Sequence, residues 1–173
     1  KGDSIHVVHI LPALRVGGAE RCVVNLINNM PQNVRQTVLL FEDVMPFAVH
    51  IRQRCEVVVI EKKDRLPWQF IFHIEKELRN LAPDLVNTHL FGADLWGRIA
   101  AVRARIPVIT TEHNVNYGES GLRHLVKRFL RPLSACYIAP SFAISRYMQS
   151  AYSVGADDIA HVPYGIEMDE FLA

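Results

Sequence analysis

Seven short, β-branched runs recur along the chain, and the segments between most of them have helical period. They are IHVVHIL from Ile5, QTVLLFE from Gln36, EVVVI from Glu56, DLVNTH from Asp84, PVITTE from Pro107, ACYIAP from Ala135 and IAHVP from Ile159. Several are apolar on both faces, as strands of a buried parallel sheet are. Repeated β-α alternation with right-handed crossovers predicts a Rossmann-like, doubly wound α/β fold: a mostly parallel sheet of about seven strands with helices on both faces. The intervening helices show their inner faces as apolar stripes. Ala19, Cys22, Val23, Leu26, Ile27 and Met30 mark the first, with spacing i, i+3, i+4, i+7, i+8 and i+11. Trp68, Ile71, Phe72, Leu78 and Leu81 mark a second, Leu95, Trp96, Ile99 and Val102 a third, and Ile144, Tyr147, Met148 and Tyr152 the last.

At 173 residues the chain is long enough for one well-buried core and short for two. Half its residues are hydrophobic and 21% are charged, without blocks, so it reads as globular. A formal net charge of +1, with no basic-aromatic tract and no zinc-finger spacing, gives no reason to expect nucleic acid as a partner. Cys22, Cys55 and Cys136 are odd in number and never in CxxC, which reads as buried thiols in a reducing compartment. No apolar run reaches the ~18 residues of a membrane span, and KGDSIHVV lacks the layout of a signal peptide. The expected location is cytoplasmic. The chain does not begin with methionine, which fits a fragment.

In open α/β sheets ligands bind at the carboxyl ends of the strands where strand order reverses, between the first and fourth strands in the common order 3-2-1-4-5-6. Gly17-Gly18 follow the first run, His89 ends the fourth, and Glu112-His113-Asn114 end the fifth. These polar loops are expected to converge. The glycine pair has two readings. A helix begins there, so its free N–H groups and positive dipole end suit a phosphate that approaches backbone without Cβ; alternatively the pair makes a tight turn that needs positive φ. GxGxxG and GxxxxGK[ST] are both absent. His113 is crowded by Glu112, Asn114 and Asn116, a density of hydrogen-bonding groups that suits sugar hydroxyls or another polar ligand. His89 reads as a second ligand-facing residue or as a hydrogen-bonded loop histidine, and Asp84 as a strand-entry turn. No metal site is expected: His6 and His9 point to opposite faces of a strand, HExxH is absent, and no carboxylates cluster. Ser141 is most simply a helix N-cap, with no GxSxG elbow beside it.

The segment SGLRHLVKRFLRPLS aligns Leu122, Leu125, Val126, Phe129, Leu130 and Leu133 on one face and Arg123, His124, Lys127, Arg128 and Arg131 on the other. It is either a core-packing helix with a solvated cationic face or one that lies on an anionic membrane surface or guides an anionic acceptor. Arg15, just before the glycines, adds to a local positive field.

Four stretches carry a family resemblance in order along nearly the whole chain: HILPALRVGGAERCVVNL, DLVNTHLFGADLWGRIAA, PVITTEHN and APSFAISRYMQSAYSVGADDIAHVPYGIEMDEF. They resemble the N-terminal half of family-4 retaining glycosyltransferases with the GT-B fold, in which two Rossmann-like domains close around a sugar nucleotide. The resemblance implies residues 1–163 as the N-terminal, acceptor-side domain and 164–173 as the start of the interdomain linker, with the donor-binding domain not in this chain. It implies His113 as the catalytic contact to the donor sugar. Gly17, Gly18 and Arg15 would form the loop that faces the donor diphosphate and acceptor, with His89, Asn114 and Glu112 on the acceptor side. Two linker positions depart from the family pattern: Tyr164 stands where asparagine is usual and Glu167 where aspartate is usual.

The implied activity is metal-independent, retaining transfer of a hexose-type sugar from a nucleoside diphosphate to a glycan or lipid-linked acceptor, as in polysaccharide or lipopolysaccharide biosynthesis. No cofactor is implied, only the nucleotide sugar as co-substrate. The fragment alone would be inert, and Arg123, Lys127, Arg128 and Arg131 would form a peripheral contact with the inner face of the membrane. Two alternatives stay open: a nucleotide-sugar 2-epimerase of the same fold, disfavoured by the GGAER and linker patterns, and a non-catalytic phosphate- or carbohydrate-binding module.

Overall fold

The computed structural model describes residues 4–62, 66–115, 118 and 121–165. All seven expected strands form: β1 (Ile5–Leu11), β2 (Val34–Leu40), β3 (Cys55–Val59), β4 (Leu85–His89), β5 (Val108–Thr111), β6 (Cys136–Ala139) and β7 (Ile159–His161). They make one sheet in the order β3-β2-β1-β4-β5-β6-β7, and all six neighbouring pairs are parallel. The reversal between β1 and β4 is the expected switch point. Five helices complete the layers: α1 (Gly18–Asn29), α2 (Pro67–Leu81), α3 (Leu90–Ala104), α4 (Gly121–Leu130) and α5 (Phe142–Tyr152).

Period-2 alternation divides the core. Leu11, Val38 and Leu40 pack with Val23, Val24 and Ile27 of α1 on one face. Val8, Ile10, Leu39, Val86 and Val108 meet α2 and α3 on the other, and Tyr137 and Ala139 carry that second face on to α5. With α4 packed against α3 and α5, helices α2 to α5 share one side. The α1 side over β4, β5 and β6 carries no helix among the described residues.

Local chemistry sets the helix ends. Pro67 opens α2, Gln69 Oε1 accepts from the Leu66 N–H at 3.1 Å, and Ala82 closes the helix in the left-handed region at φ 45°. Ser141 caps α5 by accepting from the Ile144 N–H at 3.2 Å, and the Asp84 carboxylate accepts from the His6 N–H at 2.9 Å at the entry to β4.

The α5 stripe is buried as its period predicts; three other helices correct the apolar stripes. In α1, Leu26 is exposed and lines a cavity with Cys22. In α2 the sheet takes Phe70, Ile74 and Leu78, leaving Trp68 and Phe72 exposed. In α3 the buried set is Ala93, Asp94, Gly97, Arg98, Ala100 and Ala101. Small residues win there because the helix lies close to the sheet: a Cβ on Gly97 would come 2.9 Å from Ile10 Cδ1.

The largest correction concerns α4. Leu122, Leu125 and Phe129 are exposed, at 70%, 50% and 75%, while Lys127, assigned to the solvated cationic face, is buried. The reason is electrostatic. Lys127 Nζ donates to Glu112 Oε2 and, at 3.2 Å, to the Tyr152 hydroxyl, while His124 meets the Tyr147 hydroxyl. Its neighbours Asp94 and Arg98 are paired at 3.2 Å and also buried. Two acids and two bases thus lie together between α3, α4 and the end of β5, and this polar centre turns the apolar stripe of α4 outward. No helix among the described residues is long and apolar enough to cross a membrane. The three cysteines are free and partly exposed, not fully buried.

Candidate functional site

The sequence-predicted loops meet at the carboxyl end of the sheet, but not all in one place. The register aligns His9 with Asn87, and His89 with Thr111, so four polar side chains from β1, β4 and β5 share the α1 face. They continue into a chain of rings. His9 Nδ1 lies 3.2 Å from His89 Nε2, His89 Nδ1 lies 3.0 Å from His113 Nε2, and His113 Nδ1 bonds the Tyr164 hydroxyl. Tyr164 folds back from the segment after β7 and stacks on His113, with ring centroids 5.7 Å apart. Thr111 Oγ1 donates to Asn87 Oδ1 at 3.0 Å beside them.

The three histidines are buried. Desolvation lowers the His9 and His113 pKa values to about 4 and holds His89 well below its ordinary value, where the neighbouring rings add to the effect. All three are therefore neutral at pH 7. Burial likewise raises the Tyr164 phenol. The set can donate and accept hydrogen bonds without carrying charge, which suits hydroxyl groups better than phosphate.

His89 and His113 line an open trough of about 680 Å³ with Cys22, Leu26, Asn87, Thr111 and Tyr164, over the part of the sheet that carries no helix among the described residues. The other predicted residues lie elsewhere. Arg15 is exposed and paired with Glu42. The Glu112 carboxylate is taken by Lys127 on the far side, away from the trough. Asn114 is exposed, and Asn116 and Glu167 lie outside the described residues. Among the described residues no group of His, Cys, Asp and Glu is arranged to hold a metal ion.

The glycine pair begins α1 without the positive φ that the turn reading requires. Gly17 is extended at φ -161° and ψ 166°, and no described glycine has positive φ. A Cβ on Gly18 would meet nothing within 4 Å, so the fold itself does not need glycine there. A Cβ on Gly17 would collide with the flexible Glu20 carboxylate, which sits at the start of its own helix. The backbone on the opposite side of the switch point is unusual. Leu90, directly after His89, has φ 68°; the other positive-φ residues, Ala82, Arg105 and Ser153, are helix C-caps. A bulky residue in the left-handed region costs about 1 kcal/mol or more, so the junction that presents His89 is strained.

His9, Asn87, Thr111 and Tyr164 join the site without having been picked out for it. The signal was present in the strand alternation: each of the first three is a polar residue at a same-face position of a buried parallel strand.

The model of the family described as Glycosyltransferase Family 4 matches residues 16–170. Among solved structures, HepE of Anabaena in complex with UDP and glucose matches at TM-score 0.78 and 19% identity, over 95% of this chain and 46% of that one. The lipopolysaccharide outer core galactosyltransferase WaaB in its apo form matches at TM-score 0.73 and 14% identity, over 94% and 46%. A candidate UDP-N-acetylglucosamine 2-epimerase from Listeria monocytogenes matches at 0.68 and 11%, over 90% and 43%. The chain spans about half the length of these proteins. No curated protein matches in sequence.

Proposed function

The chain belongs to glycosyltransferase family 4, and from that premise we propose that it forms the acceptor-side half of an enzyme that transfers a sugar from a nucleoside diphosphate to a glycan or lipid-linked acceptor, with retention and without a metal. The observation that carries this reading is the convergence of His89 and His113 in the trough at the strand-order reversal. His113 meets the donor sugar, held neutral so that it hydrogen-bonds hydroxyls. The Gly17-Gly18 start of α1 leaves room for the diphosphate, and a second α/β half, in residues beyond this chain, binds the nucleotide. Positioning and stabilisation of the leaving diphosphate would supply most of the rate. The likeness to UDP-bound HepE supports a nucleotide-sugar donor.

Membrane attachment at the cytoplasmic face is part of this proposal and takes a changed form. The exposed Leu122, Leu125 and Phe129, flanked by Arg123, Arg128 and Arg131, combine apolar anchors with cations as interfacial helices do. Lys127 has no part in it.

The test is to incubate the intact protein with UDP-sugars and candidate acceptors, with and without EDTA, and to read UDP release and the anomeric configuration of the product by NMR. Acceptor-dependent release that resists EDTA and conserves the anomer is expected. The likeness to the candidate epimerase favours a second reading. Interconversion of the UDP-sugar with no acceptor would establish it in place of transfer.

A further inference from the structure

Two buried side-chain atoms beside the ring chain have no closed hydrogen bond, His9 Nε2 and Gln36 Oε1. The register pairs His9 with Val38 and Val7 with Gln36, so His9 and Gln36 are diagonal neighbours on the same face of β1 and β2. Gln36 Nε2 donates to the Ile27 carbonyl at 2.9 Å, which fixes the amide and leaves its oxygen as an acceptor. Consistent with this, donation from the ring to the Gln36 amide oxygen is the influence that favours protonation of His9.

A neutral imidazole has one N–H and one lone pair. Every contact in the chain runs from an Nε2 to the Nδ1 of the next ring inward, His113 to His89 and His89 to His9. Fixing one tautomer therefore fixes all three. Either each ring carries its proton on Nε2 and the donations run inward, or each carries it on Nδ1 and they run outward. The outward order aims the His9 Nε2 lone pair toward the Gln36 oxygen and leaves two buried acceptors unsatisfied, which costs about 1–3 kcal/mol for each group. The inward order gives both a partner, and aligned dipoles strengthen each link.

We infer that Gln36, through His9 and His89 as positioning residues, holds His113 as the Nε2–H tautomer, so that His113 Nδ1 meets the crevice only as a hydrogen-bond acceptor. The Tyr164 hydroxyl occupies that acceptor now. A ligand that displaces it must bring a donor. On the proposed function, on which this consequence rests, the group recognised is a sugar hydroxyl and not a phosphate oxygen or a carbonyl.

The test is histidine ring ¹⁵N NMR on the intact protein labelled with ¹⁵N-histidine, near pH 7.5, with no ligand. Nε2–H tautomers are expected at His9, His89 and His113. Gln36→Leu removes the inner acceptor and should move all three rings together toward Nδ1–H, whereas Tyr164→Phe should leave them unchanged. Nδ1–H at His113 in the unsubstituted protein overturns the inference. So does a Gln36→Leu variant that stays Nε2–H throughout, or a reversal caused by Tyr164→Phe. If Gln36→Leu fails to fold, the assignment in the unsubstituted protein decides. The readout needs no turnover, so absence of sugar transfer overturns the proposed function and leaves the tautomer order standing.

Discussion

His9 and His113 have pKa values of about 4 in the folded chain, because burial disfavours a protonated ring and, at His113, outweighs the opposing field of the Asp94 carboxylate. In the unfolded chain both return to about 6.5. Between these values the unfolded state binds more protons, so stability rises with pH across the window and falls on acidification from about 6.5 toward 4. A shift of this size amounts to roughly 3 kcal/mol per histidine. Melting temperature measured from pH 7.5 to 4.5 should drop steeply below pH 6.5, and the drop should shrink in His9→Phe if that variant folds; a flat profile would mean that the rings are solvated. Gly18 allows a cleaner separation of fold from function. With open space at its Cβ position and no positive φ, Gly18→Ala should leave thermal stability unchanged or raise it by up to about 1 kcal/mol. Turnover of the intact enzyme should nevertheless fall if the diphosphate approaches this backbone. Full activity in Gly18→Ala would remove the phosphate role.

Among the elements, α4 shows where sequence period stops being sufficient. Its apolar and basic stripes were both legible, but which one faces inward depends on partners far apart in sequence. Glu112 after β5, Asp94 and Arg98 on α3 and Tyr152 on α5 make a polar seat for Lys127, and no local pattern announces it. Removing one member of a buried ionic set leaves a charge uncompensated, at about 3–5 kcal/mol. Lys127→Met should therefore lower unfolding free energy by that order in denaturant titration, while Arg128→Ala, one residue on and exposed, should change it by about 0.5 kcal/mol or less. Equal effects would contradict the arrangement. The same helix supplies the membrane prediction. Leu122→Ser with Phe129→Ser should reduce flotation of the intact protein with anionic vesicles more than Lys127→Met does, provided the latter folds. In α3 the sequence displayed Leu95, Trp96, Ile99 and Val102, yet the close approach of Gly97 to Ile10 put small residues against the sheet. Gly97→Val should cost about 1–3 kcal/mol through overpacking.

For the whole molecule, strand identity and order were readable because the seven runs are short, β-branched and separated by crossovers, and right-handed connections leave few topologies. The site was readable in part. His89 and His113 were accessible as strand-end residues, and the strand reversal predicted that they meet. The chain of contacts from Gln36 to Tyr164 was not accessible, since it runs across β2, β1, β4, the loop after β5 and the segment after β7, and no linear spacing encodes it. Arg15 and Glu112 were drawn in by proximity in sequence, and ion pairs with Glu42 and Lys127 take them elsewhere. The trough lies over a part of the sheet that carries no helix among the described residues, and the chain spans about half the length of its structural neighbours, which fits the proposal of a site shared with a second half. The most direct test is to compare the intact protein with its His113→Ala variant, measuring UDP affinity by calorimetry and sugar transfer at saturating UDP-sugar and acceptor. UDP affinity is expected to stay within about twofold and kcat to fall by about 100-fold or more, the range seen when a transition-state contact is removed. Undiminished kcat in His113→Ala would contradict the proposed role of His113.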